Sequence, residues 1–339
     1  MGRSRVYAND AERQRAFRAR HRPAPKPLAA SAVRALQMPF PYFGGKAPIA
    51  AVVWERFGQV RHYVEPFCGT AAVLLGCPTP AAVETINDVD GLLVNVLRAL
   101  QADPQGVAVY AQDNVSELDL VARHDWLVAQ APALTAQLAA DPSFYDVRAA
   151  GWWIWGKSSW IGSGWCTPHP DGTVPRQLPH LSHTGSGVHA VARRKTAALV
   201  ESLRRLQQRL RRVRICCGDW TRIVTPTVLE GSGRPVGVFL DPPYRHADRE
   251  RQLYAHDPDM AAEVRAWALA HGERLHLRIA LCGYRGAYEM PETWTAYRWQ
   301  TRGGYAHQGT NGRGLQNSQR ECVWFSPGCQ PPPQGTLWE

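Results

Sequence analysis

Apolar and polar positions follow two rhythms along most of the chain. The segment QMPFPYFGGKAPIAAVVWERFG reads as a loop turning into a helix, and HYVEPFCGTAAVLLG as strand, turn and helix. AVETINDVDGLLVNVLRAL reads as strand, acidic turn and helix. After a middle region from about 104 to 195 come the strand VRICCGDW, the strand VGVFLDPPY, the helix DMAAEVRAWALAHG and the strand LRIALCGY. A late strand pair lies around TAYRWQ and ECVWFSP. Strands alternating with helices predict an α/β fold, a largely parallel, Rossmann-like sheet with helices on both faces. Ligands of such sheets bind outside the carboxyl ends of the strands.

VGVFL, residues 236–240, is short, apolar and partly β-branched, as a strand covered on both faces must be. It ends in Asp241, and Pro242 and Pro243 have no N–H to continue a ladder. The turn is therefore stiff and presents bare carbonyls. Asp-Pro-Pro is also a plain strand terminator, so its meaning depends on the other strand ends. Those ends carry Glu65, Asp88 and Asp219, and four acids on four strands are too regular for ordinary surface polarity.

The helix pattern leading into VRICC places Ala198, Leu199, Leu203, Leu206 and Leu210 on one face, and its arginines are expected on the outer, solvated face. Net charge modifies this picture only at the start of the chain. The formal charge is +10, and residues 1–37 hold nine arginines and lysines against two acids. NDAERQRAFRARHRP reads as a short basic helix stopped by Pro23, then a Pro/Ala linker, and an arginine-rich arm suits a polyanion. The eight cysteines form no C-x-x-C pair, so neither a zinc site nor a disulfide framework is expected. No run of about 18 apolar residues is present and the N-terminus is not apolar, which leads to the expectation of a cytoplasmic protein.

An acidic rim suits a cofactor with a ribose, an amino group and a positive charge, because carboxylates accept from hydroxyl and ammonium groups and stabilise a cation. S-adenosylmethionine has all three. A nicotinamide cofactor needs G-x-G-x-x-G at the first turn, and FCGTAAV offers a single glycine.

The order PYFGGK, VEPFCGTAAV, NDVD, a Trp-rich insert, an acid-ended strand and DPPY resembles the α-class, Dam-type DNA adenine-specific methyltransferases, in forms close to those of phages and mobile elements. The resemblance spans about residues 38 to 327. It implies an S-adenosylmethionine-dependent enzyme of DNA modification, of the kind found in restriction-modification, in a bacterial or phage-infected cell. Tyr42, Gly44, Gly45 and Lys46 match the motif that approaches the methionyl end of the cofactor, and Glu65, Phe67 and Gly69 match the first-strand motif. Asp88 matches the acid for the ribose hydroxyls and Asp219 the partner of the cofactor's adenine amine. Ala71 departs from the family, which usually shows a second glycine there.

The same resemblance gives DPPY its chemistry. Asp241 and the Pro242 carbonyl would accept the two N–H bonds of a flipped adenine's amine, Pro243 stiffens the turn, and Tyr244 stacks on the base. Transfer to the cytosine amine and a catalytically silent DNA-binding regulator are the alternatives. Ser commonly replaces the Asp in the cytosine enzymes, and an intact DPPY and PYFGGK argue against the regulator.

The expected domains are a basic tail (1–37), a catalytic domain (38–103 with 196–330), a helical and loop target-recognition insertion (104–195) and a tail (331–339). In the insertion, Trp152, Trp153, Trp155, Trp160 and Trp165 are expected to be core for about half their number. Arg176, His183, Arg193, Arg194 and Lys195 are the candidate contacts to double-stranded DNA. No metal is expected, and the expected state is a monomer or weak dimer.

Overall fold

The computed structural model describes residues 36–42, 45–161, 164–168, 178–181, 187–189, 196–231, 233–243, 260–286, 289–299 and 321–332. In chain order they form α1 (Ala50–Phe57), β1 (His62–Glu65), α2 (Ala72–Leu75), β2 (Val83–Asp88), α3 (Gly91–Ala102), α4 (Pro104–Ala111), α5 (Glu117–Ala140) and α6 (Val147–Ser159). There follow α7 (Thr196–Leu210), β3 (Arg214–Cys217), α8 (Pro226–Gly231), β4 (Val236–Leu240), α9 (Met260–Gly272), β5 (Leu277–Tyr284), β6 (Thr295–Arg298) and β7 (Glu321–Phe325). Each strand falls in a segment that the sequence pattern predicts as a strand. The basic arm before residue 36 and the end beyond residue 332 lie outside the described residues.

The seven strands form one sheet in the order β3-β2-β1-β4-β5-β7-β6. The first five are parallel, and β7 runs antiparallel to both β5 and β6. Chain order reverses between β1 and β4, which opens a crevice at their carboxyl ends. Alternate side chains feed two cores: Tyr63, Ile86, Phe239, Ala280 and Cys282 enter one, and Val64, Val238, Leu240, Ile279 and Leu281 the other.

The connection from β2 to β3 holds α3 to α7. Asp90, Asp103, Ser116 and Asp146 cap the starts of α3, α4, α5 and α6 with side-chain oxygens, satisfying backbone N–H groups that have no partner within the helix. On α7, Leu199, Leu203, Leu206 and Leu210 are fully buried. Arg204 and Arg205 are exposed as expected, but Arg209 turns inward. It donates to both oxygens of the buried Glu84 at 2.6 and 2.7 Å and to the Leu74 carbonyl at 2.9 Å, tying α7 to β2. The tryptophans also depart from expectation. Trp153, Trp155, Trp160 and Trp165 are all buried, so packing claims four of the five rings rather than half.

Candidate active site at the carboxyl edge of the sheet

β1 and β2 end side by side, with Glu65 in register with Ile86. Glu65 points into the core and accepts the Tyr63 hydroxyl at 3.0 Å. Burial pushes its carboxyl up to about 8; the Tyr63 hydrogen bond opposes the rise and the nearby Asp241 charge adds to it. Asn87 knits the edge, since its side-chain amide donates to the carbonyls of Pro66 and Gly218, at 3.0 and 2.9 Å, while its backbone carbonyl accepts the Cys68 N–H. One side chain thus holds together the chain leaving β1, β2 and β3.

Asp88 closes β2 and accepts the Gly69 N–H on one oxygen and the Asp90 N–H on the other, each at 3.0 Å. Burial pushes it up to about 6 despite these bonds. Gly69 has φ +46°, and a Cβ there would lie 3.1 Å from the Tyr42 ring, so only glycine lets that ring close over the turn. Ala71 also sits in the left-handed region, at φ +50° and ψ +36°, just before α2. The family's glycine answers to a backbone demand at this position, and alanine meets it at a cost of roughly 1–2 kcal/mol.

β3 delivers Asp219 two residues past its end, beyond Gly218. The Asp219 carboxylate is exposed and its Oδ1 accepts both the backbone N–H and the hydroxyl of Thr221. The next ring, Trp220, lies 6.0 Å from Phe67, so the first-strand motif and the third acid meet through an aromatic wall.

β4 carries Asp241 to the rim, with Pro242 buried and Pro243 exposed. Lys46, from the loop before α1, places its ammonium 2.9 Å from Asp241 Oδ2. Burial works against that charge, but Asp241, with Cys282 and Glu321 beyond it, overcomes the effect and raises the Lys46 pKa above its ordinary value. PYFGGK and DPPY are therefore joined by an ion pair, and a Cβ on Gly45, just before Lys46, would lie 3.4 Å from the Tyr42 carbonyl oxygen.

Gly44, Tyr244, Arg176, His183, Arg193, Arg194 and Lys195 lie outside the described residues. The structure adds groups that the sequence reading missed: Tyr63, Asn87, Glu321 and Lys157. Lys157, on α6, lies 5.2 Å from the Tyr42 ring centroid and 5.0 Å from that of Trp153. Among the described residues no group of three or more His, Cys, Asp or Glu side chains is arranged to hold a metal ion, and no helix is long and apolar enough to cross a membrane.

The loop at Tyr42, the Glu65 and Asp88 ends and the start of the helical connection all fall in one recognisable stretch. No curated protein matches the chain. Residues 42–148 match the family model of the D12 class N6 adenine-specific DNA methyltransferases. The match covers β1 and β2 and stops at the start of α6, before β4. Residues 42–148 are thus similar to the D12 class of N6 adenine-specific DNA methyltransferases, and the sheet to which they contribute β1 and β2 is Rossmann-like.

Proposed function

We propose that this chain transfers the methyl group of S-adenosylmethionine to the exocyclic N6 amine of a flipped adenine in double-stranded DNA, with Asp241 and the Pro242 carbonyl as acceptors. The observation that carries the reading is Asp241, fixed by Lys46 at 2.9 Å, on the same rim as two carboxyls that burial has pushed upward. Carboxyls short of positive charge fit a cationic ligand, and a turn with Tyr42 over Gly69 fits its flat, narrow chain. When bound, the cofactor supplies an electrophilic methyl on a sulfonium.

In this reading Asp88 keeps lone pairs for the ribose hydroxyls beyond its two backbone bonds, because each carboxylate oxygen has two. Phe67 and Trp220 flank the adenine ring, whose amine donates to Asp219. Tyr42, Gly44, Gly45, Lys46, Glu65 and Gly69 surround the methionyl end. An adenine amine is a weak nucleophile because its lone pair is delocalised into the ring. Two rigid acceptors let the nitrogen pyramidalise, and their bonds strengthen as it gains positive charge. Asp241 then stabilises the transition state without acting as a strong base.

We assign residues 38–103 and 196–330 to catalysis and 104–195 to target recognition, with Arg176, His183, Arg193, Arg194 and Lys195 at the DNA. The decisive experiment incubates the protein with unmodified DNA and methyl-labelled S-adenosylmethionine, then separates the nucleosides. Label in N6-methyladenine is expected. Label in N4-methylcytosine would assign the other amine, and unlabelled DNA would refute the reading.

A further inference from the structure

A fifth carboxylate reaches the rim from a place where sequence patterns do not point. β7 runs antiparallel to β5, so its first residue, Glu321, lies at the edge where the parallel strands have their last. Register fixes its face. Leu240 pairs with Leu281, so Asp241 follows beside Cys282; Cys282 faces Val323, and Glu321 stands two residues further out on that strand. Alternation along the strands then puts Asp241, Cys282, Val323 and Glu321 on one face of the sheet. The packing agrees, because Phe239, Cys282 and Val323 belong to one core while Leu240, Leu281 and Cys322 belong to the other. Glu65 projects to that same face, two residues after Tyr63.

Lys46 brings a positive charge to this face. It is buried, touches Asp241 at 2.9 Å, and also interacts electrostatically with Glu321 and Cys282. Glu321 is half-buried; burial raises its pKa, Lys46 lowers it and Asp241 raises it again. A lysine paired with Asp241 alone would draw electron density from the oxygen that must accept the substrate amine. A second carboxylate on the same sheet face attracts the ammonium as well and offsets that pull.

Resting on the methyltransfer reading, we infer that Glu321, on the same sheet face as Asp241, is a positioning residue for the reaction, attracting Lys46 alongside Asp241 so that Asp241 keeps its orientation and acceptor strength. It acts through Lys46 and touches neither the methyl donor nor the base. Among the described residues, the titratable groups coupled to this cluster include Lys46, Tyr63, Glu65, Cys68, Arg209, Asp241, Cys282 and Glu321.

The test compares wild type, Glu321→Gln and Glu321→Asp in full-length protein. It reads the single-turnover rate of methyl transfer, the affinity for S-adenosylhomocysteine and DNA, and thermal melting. Glu321→Gln should slow the rate roughly tenfold, with both affinities within about twofold and the melting temperature little changed. Glu321→Asp, which keeps the charge, should recover most of the rate. An unchanged rate in the glutamine variant overturns the inference. So does a rate loss matched by an equal loss of S-adenosylhomocysteine affinity, or an aspartate variant as impaired as the glutamine one. If wild type itself leaves adenine unmethylated, the inference falls together with the reading beneath it.

Discussion

The helical connection between β2 and β3 and the carboxyl edge of the sheet both bury charge, and they do so in opposite ways. In the connection Arg123 and Arg98 meet acids, rings and carbonyls. Arg123 lies 4.2 Å from the Trp155 ring centroid and 5.1 Å from that of Trp152, with Asp113 at 3.3 Å and Asp119 at 3.7 Å. Arg98 donates to the carbonyls of Leu138 and Asp141 where α5 ends. At the sheet edge the carboxyls Glu65, Asp88, Asp90 and Glu321 all have their pKa values raised by burial, and Lys46 is committed to Asp241. Matched charge holds a scaffold together, whereas an excess of buried acid over cations suits a ligand that brings positive charge.

The contrast can be broken from either side. The largest effect is expected at Asp241. Asp241→Ala should abolish methyl transfer, a loss of roughly a thousandfold or more, with S-adenosylhomocysteine binding retained by calorimetry. Substantial turnover in that variant would remove Asp241 from the chemistry. Arg123→Ala tests the scaffold: loss of a buried, paired and ring-stacked cation should lower stability by about 2–4 kcal/mol in denaturant melts, leaving cofactor affinity unchanged. An affinity change as large as the stability change would erase the distinction between the two regions.

Asp88→Ala should weaken S-adenosylmethionine binding by about 1.5–3 kcal/mol, the scale of hydrogen bonds to a charged group. Unaltered affinity in a calorimetric titration would place the ribose elsewhere. Glu65 gives the smallest expected effect and the clearest sign. Its folded pKa of about 8 lies above the ordinary 4.5, so its contribution to the ligand-free fold is complete below the ordinary value and is lost as pH rises through about 8. Glu65→Gln should flatten that decline in melting temperature between about pH 5 and about pH 8. A wild-type protein that grows more stable over this window would contradict the burial of that carboxyl.

Strands and their terminal acids were legible because the information is local: an apolar run long enough to cross a sheet, then an acid. Asp241 and its stiff turn could be read from five apolar residues and two prolines. Glu321 was not legible, because an acid at the start of a strand reaches the site only if that strand runs antiparallel, and ECVWF does not encode its own direction. The Lys46–Asp241 pair was hidden for a related reason, since each residue was visible in its own motif and their contact is made by the fold. Arg209 misled because amphipathic spacing assigns a face to a helix position but not a partner, and Glu84 waits on the neighbouring strand. The tryptophans misled in the other direction. About half of them were expected to be core, yet most of that run is the buried helix α6, where Trp165 crosses over Gly156 and donates to the Trp153 carbonyl at 3.2 Å.

The most direct measurement of the central claim is the affinity for S-adenosylmethionine as a function of pH, titrated by calorimetry in buffers of different ionisation enthalpy. Asp88 is held at about 6 in the ligand-free protein, and both ribose hydroxyls and a nearby sulfonium favour its ionised form. Affinity should therefore rise from about pH 5 to about pH 7 with release of protons on binding, and Asp88→Asn should suppress most of the rise. An affinity that stays flat or falls over that range, or protons taken up on binding, would contradict an acidic rim built to receive a cationic cofactor.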